Sequence, residues 1–291
     1  MPIAINTDDA NEQHYEVPTP YFLHCLGKHL KYSSCLYETG DESLDEAEED
    51  MLRLCAERAE IKPGMSVLEL GCGWGSFSLY LAAKYPKTQF TCVSNSSTQR
   101  QFITKCIQER RLSNLTVLTD NVVTFTPPNP GTYDRVVSVE MFEHMKNYQL
   151  LLARISSWMA PGGKLFLHFF SHKDFAYHYT DDGPDDWMTR YFFAGGTMPS
   201  HDLMLHFQDD LVVERSWRIN GIHYSRTLEE WLRRQDAHRK EVMQLFRETY
   251  PPGEAQKWFA YWRLFYIACS ELFKYDNGEE WGVTHVVMAK R

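Results

Sequence analysis

Residues 67–77 read Val67-Leu68-Glu69-Leu70-Gly71-Cys72-Gly73-Trp74-Gly75-Ser76-Phe77. An apolar strand runs into an acid, three alternating glycines make a turn, and a helical pattern starts near Ser76. Glycines adopt positive φ without strain and let a ligand lie against bare backbone. In open α/β sheets ligands bind at the carboxyl ends of strands, and this turn sits at such an end. Working outward, SVLELG, TQFTCVS, LTVLTD, YDRVVSV and KLFLHFF read as strands. SFSLYLAAKYP, TQRQFITKCIQERRL and NYQLLLARISSWMA read as the helices between them. Short apolar strands alternating with helices predict a parallel sheet covered on both faces. Breaks fall at Pro63-Gly64, at Pro127 to Gly131, and at a sharp turn over Pro161-Gly162-Gly163.

The glycine spacing selects the ligand. A dinucleotide fingerprint is G-x-G-x-x-G, with a pyrophosphate on the helix N-terminus. Here the spacing is G-x-G-x-G, and Glu69 stands two residues before the first glycine. An acid there repels a pyrophosphate and suits a cation. The second strand ends CVSNSSTQ, without an acid to hold an NAD ribose.

The 291 residues are 43% hydrophobic and 14% aromatic, with a net charge of -9. That balance disfavours nucleic acid or an anionic membrane surface as the main partner. No apolar run has the length of a membrane span. The polar, acidic start MPIAINTDDANEQ is unlike a leader peptide, and residues 1–12 read as frayed. Seven cysteines without a C-x-x-C pair point to a reduced, cytoplasmic protein. Ser43 to Glu46 form a capping box, and the acidic run DESLDEAEED reads as the solvated face of the helix behind it. Residues 227–249 and 254–275 read as helices. LVVERSWRI and GVTHVVMAK read as two late strands that rejoin the sheet. The organisation expected is a cover segment over 1–60, a core over 61–170, and cover helices plus two strands over 171–291.

The stretch VEMFEHMKNY, residues 139–148, follows the fourth strand. On a helix, Glu140, Glu143 and His144 would share a face. Two carboxylates beside an imidazole can draw in an ammonium and take its proton. The same residues also suit a solvated first helical turn.

The glycine stretch resembles motif I of class I S-adenosylmethionine-dependent methyltransferases. QHYEVPTPYF, KYSSCLY, TYDRVVSVEMFEHMKNY, DDWMTRYFFAGGTMPS, FQDDL, KWFAYWR and NGEEW together resemble the cyclopropane fatty acid synthase-like branch, and within it the coclaurine and pavine N-methyltransferases. The resemblance covers residues 13–291. It implies a Rossmann-like α/β fold with a seven-stranded sheet, the last strand antiparallel, and helical insertions over the substrate. It implies S-adenosylmethionine as cofactor, held by Tyr32, Ser33, Glu69, Gly71, Gly73, Asn95, Gln99, Asp120 and Asn121. It implies Glu143 and His144 as the catalytic pair, Glu140 as the grip on the amine, and Glu16, His168, Tyr224, Trp262 and Phe265 as substrate-side residues.

The acceptor implied is a small aromatic amine of the tetrahydroisoquinoline kind, taken by a monomer or homodimer. By the same resemblance Cys35, Glu143, His168 and Tyr224 align with a bicarbonate site of cyclopropane synthases, which keeps methyl or methylene transfer to a lipid alkene open. Cys269 matches a cysteine once considered nucleophilic there, although a lone cysteine on an apolar helix is more often core. A non-catalytic cofactor-binding protein is the third alternative. No spacing supports a metal site; Cys35, His144 and His168 are the set that comes nearest.

Overall fold

In the computed structural model, which describes residues 1–5, 17–183 and 185–291, the central sheet has seven strands. These are β1 (Ser66–Leu70), β2 (Gln89–Ser94), β3 (Leu115–Thr119), β4 (Tyr133–Val139), β5 (Met159–His172), β8 (Leu211–Asn220) and β9 (Trp281–Lys290). A small hairpin, β6 (Tyr177–His178) with β7 (Thr197–Met198), stands apart. The strand order is β3-β2-β1-β4-β5-β9-β8. β1 to β5 pair in parallel, and β9 lies antiparallel between β5 and β8. The late strands therefore rejoin the sheet, and the last one is antiparallel, as expected.

Period-two alternation fills both faces. Val67, Cys92, Val137, Phe166 and Val287 enter one core cluster; Leu68, Val93, Val136, Leu165 and Met288 enter the other. The flanking helices are α1 (Thr19–Cys25), α2 (Leu44–Arg58), α3 (Ser76–Lys84), α4 (Ser97–Arg110), α5 (Tyr148–Trp158), α6 (Trp187–Phe192), α7 (Ile222–Ala237), α8 (Arg239–Thr249) and α9 (Ala255–Lys274). The capping box of α2 is formed, with Ser43 and Glu46 each satisfying the other's backbone N–H. The late helical region divides at His238, which ends α7 and caps α8. The turn at 161–163 lies inside the irregular start of β5, with Gly162 at φ +72°.

Two expectations fail locally. The first five residues are docked: Ala4 bridges Met145, and Lys146 N–H donates to Ile3. Ile3 and Ala4 are buried because this short strand covers the side of Met141 and Met145. The acidic run of α2 is also not all solvated. Glu48 is fully buried and accepts from the backbone N–H groups of Gly27, His29 and Lys31. Three donors offset part of the desolvation that pushes its carboxyl up to about 7. All seven cysteines are free and buried. No described helix is long and apolar enough to cross a membrane.

Candidate active site

At the end of β1 the backbone turns through three left-handed glycines, with φ +73° at Gly71, +51° at Gly73 and +77° at Gly75. A Cβ on Gly71 would lie 2.8 Å from the Met141 side chain, whereas one on Gly73 would meet nothing within 4 Å. Gly73 thus presents bare backbone to open space. Two cavities, of about 320 Å³ and about 70 Å³, meet there and share Gly71, Gly73, Gln99 and His144 in their walls. Tyr32, Ser33 and Glu69 line the larger; Asn95, Asp120 and Asn121 line the smaller. Every residue expected at the cofactor thus borders one cavity or the other.

Local structure sets these groups. The Ser96 hydroxyl caps α4 by accepting from Gln99 N–H, and Ser94 Oγ donates to Gln99 Oε1 at 2.6 Å. The buried Glu69 carboxylate accepts from the Ser78 hydroxyl. Burial pushes Glu69 up to about 7, with Ser78 pulling it back. A cation arriving in the cavity would restore its charge.

The acid-rich stretch departs from the helical face expected of it. Glu140 closes β4 in a left-handed conformation, φ +47°, and only Phe142–His144 form a single 3₁₀ turn. A non-glycine residue in that region is strained by roughly 1–3 kcal/mol and needs surroundings that hold it there. Those surroundings are specific. Glu140 N–H donates to His168 O at 2.7 Å. Glu140 Oε1 accepts from Ser34 N–H at 3.0 Å and faces His168 Nε2 at 3.1 Å; Oε2 accepts from Tyr224 O–H at 2.5 Å. A carboxylate offers about four acceptor positions. Three are filled, and the residue lines the larger cavity with its side chain 9% exposed. Burial raises its pKa, opposed by Lys31, Tyr224, the Ser34 N–H and His144.

His144 is half-buried, its ring bordering both cavities. Desolvation pushes the imidazole down to about 4 while Glu140 pulls it up, so the ring is neutral at pH 7. Glu143 lies beneath, 2% exposed, and borders neither cavity. Its Oε1 accepts from Phe170 N–H at 2.7 Å, and its Oε2 is buried without a hydrogen-bond partner. Burial and the nearby Glu140 charge raise its pKa well above the carboxylate range.

Other expected residues sort as follows. Tyr224 and Phe265 line the larger cavity. His168 does not; it stands behind Glu140. His168 and Tyr224 are thus hydrogen-bond partners of Glu140, whereas Glu143 accepts from Phe170 N–H. Trp262 is fully buried among Tyr21, Phe22 and Phe192, outside the cavity walls, because α9 turns that face toward α1 and α6. Glu16 lies outside the described residues. Cys269 lines the cavity, but burial holds its thiol up at about 12. Among the described residues, the set of potential ligands with atoms within 4.8 Å of one another is Cys55, His168 and His285, not Cys35, His144 and His168.

Sequence reasoning missed most of the aromatic wall. Phe170, Tyr177, Tyr179, Phe193, Trp231 and Phe273 all face the larger cavity. Phe170, Tyr177, Trp231 and Phe273 come from β5, β6, α7 and α9, Tyr179 and Phe193 from the loops after β6 and α6, and no local period announces them. It also missed Lys146, whose Nζ donates to Gly196 O at 2.8 Å and Thr197 Oγ1 at 3.0 Å, tying the β6–β7 hairpin over the site.

Residues 4–281 match the mycolic acid cyclopropane synthetase family. The chain belongs to this family. Within it the chain groups with the coclaurine and pavine N-methyltransferases. It is 45% identical to (S)-coclaurine N-methyltransferase of Thalictrum flavum subsp. glaucum, over all of this chain and 81% of that one. Pavine N-methyltransferase of the same plant is 40% identical, over all of this chain and 82% of its own length. The crystal structure of coclaurine N-methyltransferase bound to N-methylheliamine and SAH superposes with a TM-score of 0.95 at 42% identity, covering all of this chain and 84% of that one. A family member of the cyclopropane synthase kind, from Mycobacterium tuberculosis, gives 0.83 at 22% identity over 99% of each chain and shares the fold.

Proposed function

We propose that the chain is an S-adenosylmethionine-dependent N-methyltransferase whose acceptor is a small aromatic amine of the tetrahydroisoquinoline type. The observation that carries this is the Glu140 carboxylate, held by Ser34 and Tyr224 beside His168, in the wall of an aromatic cavity that opens onto the glycine turn. The relatives that are 45% and 40% identical are named as N-methyltransferases of (S)-coclaurine and pavine, and the matching crystal structure holds N-methylheliamine and SAH.

The cofactor's methionine part would lie by Glu69, Gly71 and Gly73, and its nucleoside by Asn95, Gln99, Asp120 and Asn121. The cofactor supplies an electrophilic methyl on a sulfonium; the chain's own groups do the rest. Aromatic faces such as Tyr179 and Phe265 enclose a ring or an ammonium. Glu140 holds the protonated nitrogen by its open acceptor position. The nitrogen must shed that proton to expose a lone pair. The neutral His144 ring in the cavity wall accepts it; Glu143, buried outside that wall, is the other member of the proposed pair and does not meet the amine directly. Alignment of amine and methyl contributes several kcal/mol more.

The free, buried cysteines favour a reducing compartment, which suits the cytoplasm, and we read the protein as a monomer or homodimer. The test is an amine panel with S-adenosylmethionine, read by mass. A gain of one methyl on secondary tetrahydroisoquinolines supports the proposal. Cofactor binding without turnover on any amine overturns it.

A further inference from the structure

Glu140 is reached from behind by a line of groups that crosses the sheet. His168 on β5 and His285 on β9 are register partners, each in the middle of a largely apolar strand. His285 Nε2 lies 2.8 Å from His168 Nδ1, and Arg58 Nη1 at the end of α2 lies 2.9 Å from His285 Nδ1. His168 Nε2 then lies 3.1 Å from Glu140 Oε1. Both rings are buried, while Arg58 is half-buried with its guanidinium over the Trp217 ring.

The line has a direction, and Arg58 sets it. A guanidinium only donates, so His285 Nδ1 must accept. The proton of a neutral His285 therefore sits on Nε2 and is donated to His168 Nδ1. His168 must then carry its own proton on Nε2, facing Glu140. Burial holds both rings neutral, with pKa values well below the ordinary imidazole range. The Cys55 thiol, up at about 12, packs 3.7 Å from His168 Nδ1 and 3.9 Å from His285 Nε2.

We infer that Arg58 and His285, which do not reach the cavity, are positioning residues that lock Glu140 as a pure acceptor and so keep it the anchor of the amine rather than the outlet for its proton. Every link from Arg58 inward ends in a donor aimed at Glu140. A proton placed on Glu140 cannot move back along that line, because each site behind it is already filled. Moving charge the other way would strip a proton from a guanidinium, which stays protonated in proteins. The departing proton is thereby left to the His144 side of the cavity. The 2.8 Å separation of the two ring nitrogens is a hydrogen bond. Two nitrogens on one zinc ion, each about 2.0–2.1 Å from it, would stand farther apart.

This inference rests on the proposed function for its kinetic consequence, but not for its structural one. The primary test is ¹⁵N NMR of the histidines in the full chain without ligands. Both His168 and His285, assigned with single His→Gln variants, should show the Nε2–H tautomer. A Nδ1–H tautomer at either ring overturns the relay, as does stoichiometric zinc in the purified protein by elemental analysis. If the tautomers agree but no amine is methylated, the functional proposal fails and the relay stands.

The second test compares His285→Leu with His285→Gln, whose amide keeps one donor and one acceptor. His285→Leu should raise the KM for the amine about tenfold, the loss of one charge-assisted hydrogen bond at Glu140, and leave S-adenosylmethionine affinity by calorimetry unchanged. His285→Gln should restore most of that loss. Equal KM values for His285→Leu and wild type, in folded protein, overturn the positioning role. So does a folded Gln variant as impaired as the Leu one.

Discussion

Replacing Glu140 by Gln removes the charge that holds the amine while keeping the shape that holds the site. The amide oxygen can still accept from Ser34 N–H and His168 Nε2, which lie at 3.0 and 3.1 Å from Oε1. The amide nitrogen then meets Tyr224, whose hydroxyl can turn from donor to acceptor. The Ser34 and His168 donors keep their acceptor, and the Tyr224 O–H, which loses its own, lies in the cavity wall, so stability should change little. The ammonium loses a charge-assisted hydrogen bond, worth about 1.5–3 kcal/mol. The Coulomb term agrees in scale, at about 4 kcal/mol for unit charges 4 Å apart near a protein surface. At about 1.4 kcal/mol per decade, the smaller range is roughly a 10- to 150-fold rise in KM for the amine. Initial rates by mass against amine concentration measure this, with calorimetry for S-adenosylmethionine as control. A Glu140→Gln enzyme with unchanged KM, or one that loses cofactor affinity and amine affinity together, refutes the assignment of Glu140 as the anchor.

Glu143→Gln and His144→Ala should each lower kcat by about a hundredfold or more, the low end of what general acid–base groups supply, and leave cofactor affinity intact; wild-type rates in both would remove the proton-handling role. Gly71→Ala puts a methyl against Met141 at a φ of +73°. The strain and overpacking together should cost about 2–4 kcal/mol, seen as a lower Tm and weakened cofactor binding. Glu69 has its folded pKa raised from 4.5 to about 7. Its contribution is fully present below the unfolded value and is lost as pH rises through the folded one. Glu69→Gln should therefore gain stability relative to wild type between pH 4.5 and 8, by up to about 3 kcal/mol in the absence of cofactor. Chemical denaturation at several pH values checks this, and a pH-independent difference would show that the buried carboxyl is not the cause.

The parts legible in the sequence were those encoded locally. The glycine turn, the alternating strands and helices and the Ser43 cap each rest on residues within a few positions of one another. The parts that were not legible depend on distant pairing. Ile3 and Ala4 read as frayed because their partner, Met145, is remote in the chain. Glu48 read as solvated because the loop over 27–31 holds it through backbone N–H groups, which side-chain identities do not announce. Aromatics surround α9, so its sequence could not separate Phe265, at the cavity, from Trp262, in the core. His168 and His285 did leave a signal, a histidine in the middle of each of two largely apolar strands. Their alignment, however, is a matter of register between strands more than a hundred residues apart.

The place of β9 ties two events of folding together. β8 has no strand beside it until β9 lies down against β5, and the chain between β8 and β9 carries α7, α8 and α9. Those helices hold Tyr224, Trp231 and Phe265 over the cavity. Chain that has not yet packed these helices keeps the free edge of β5 open to another strand, the usual opening for aggregation. Weakening the roof would thus be felt in refolding yield before it is felt in affinity, since the catalytic chamber and the finished sheet are completed by the same stretch of chain.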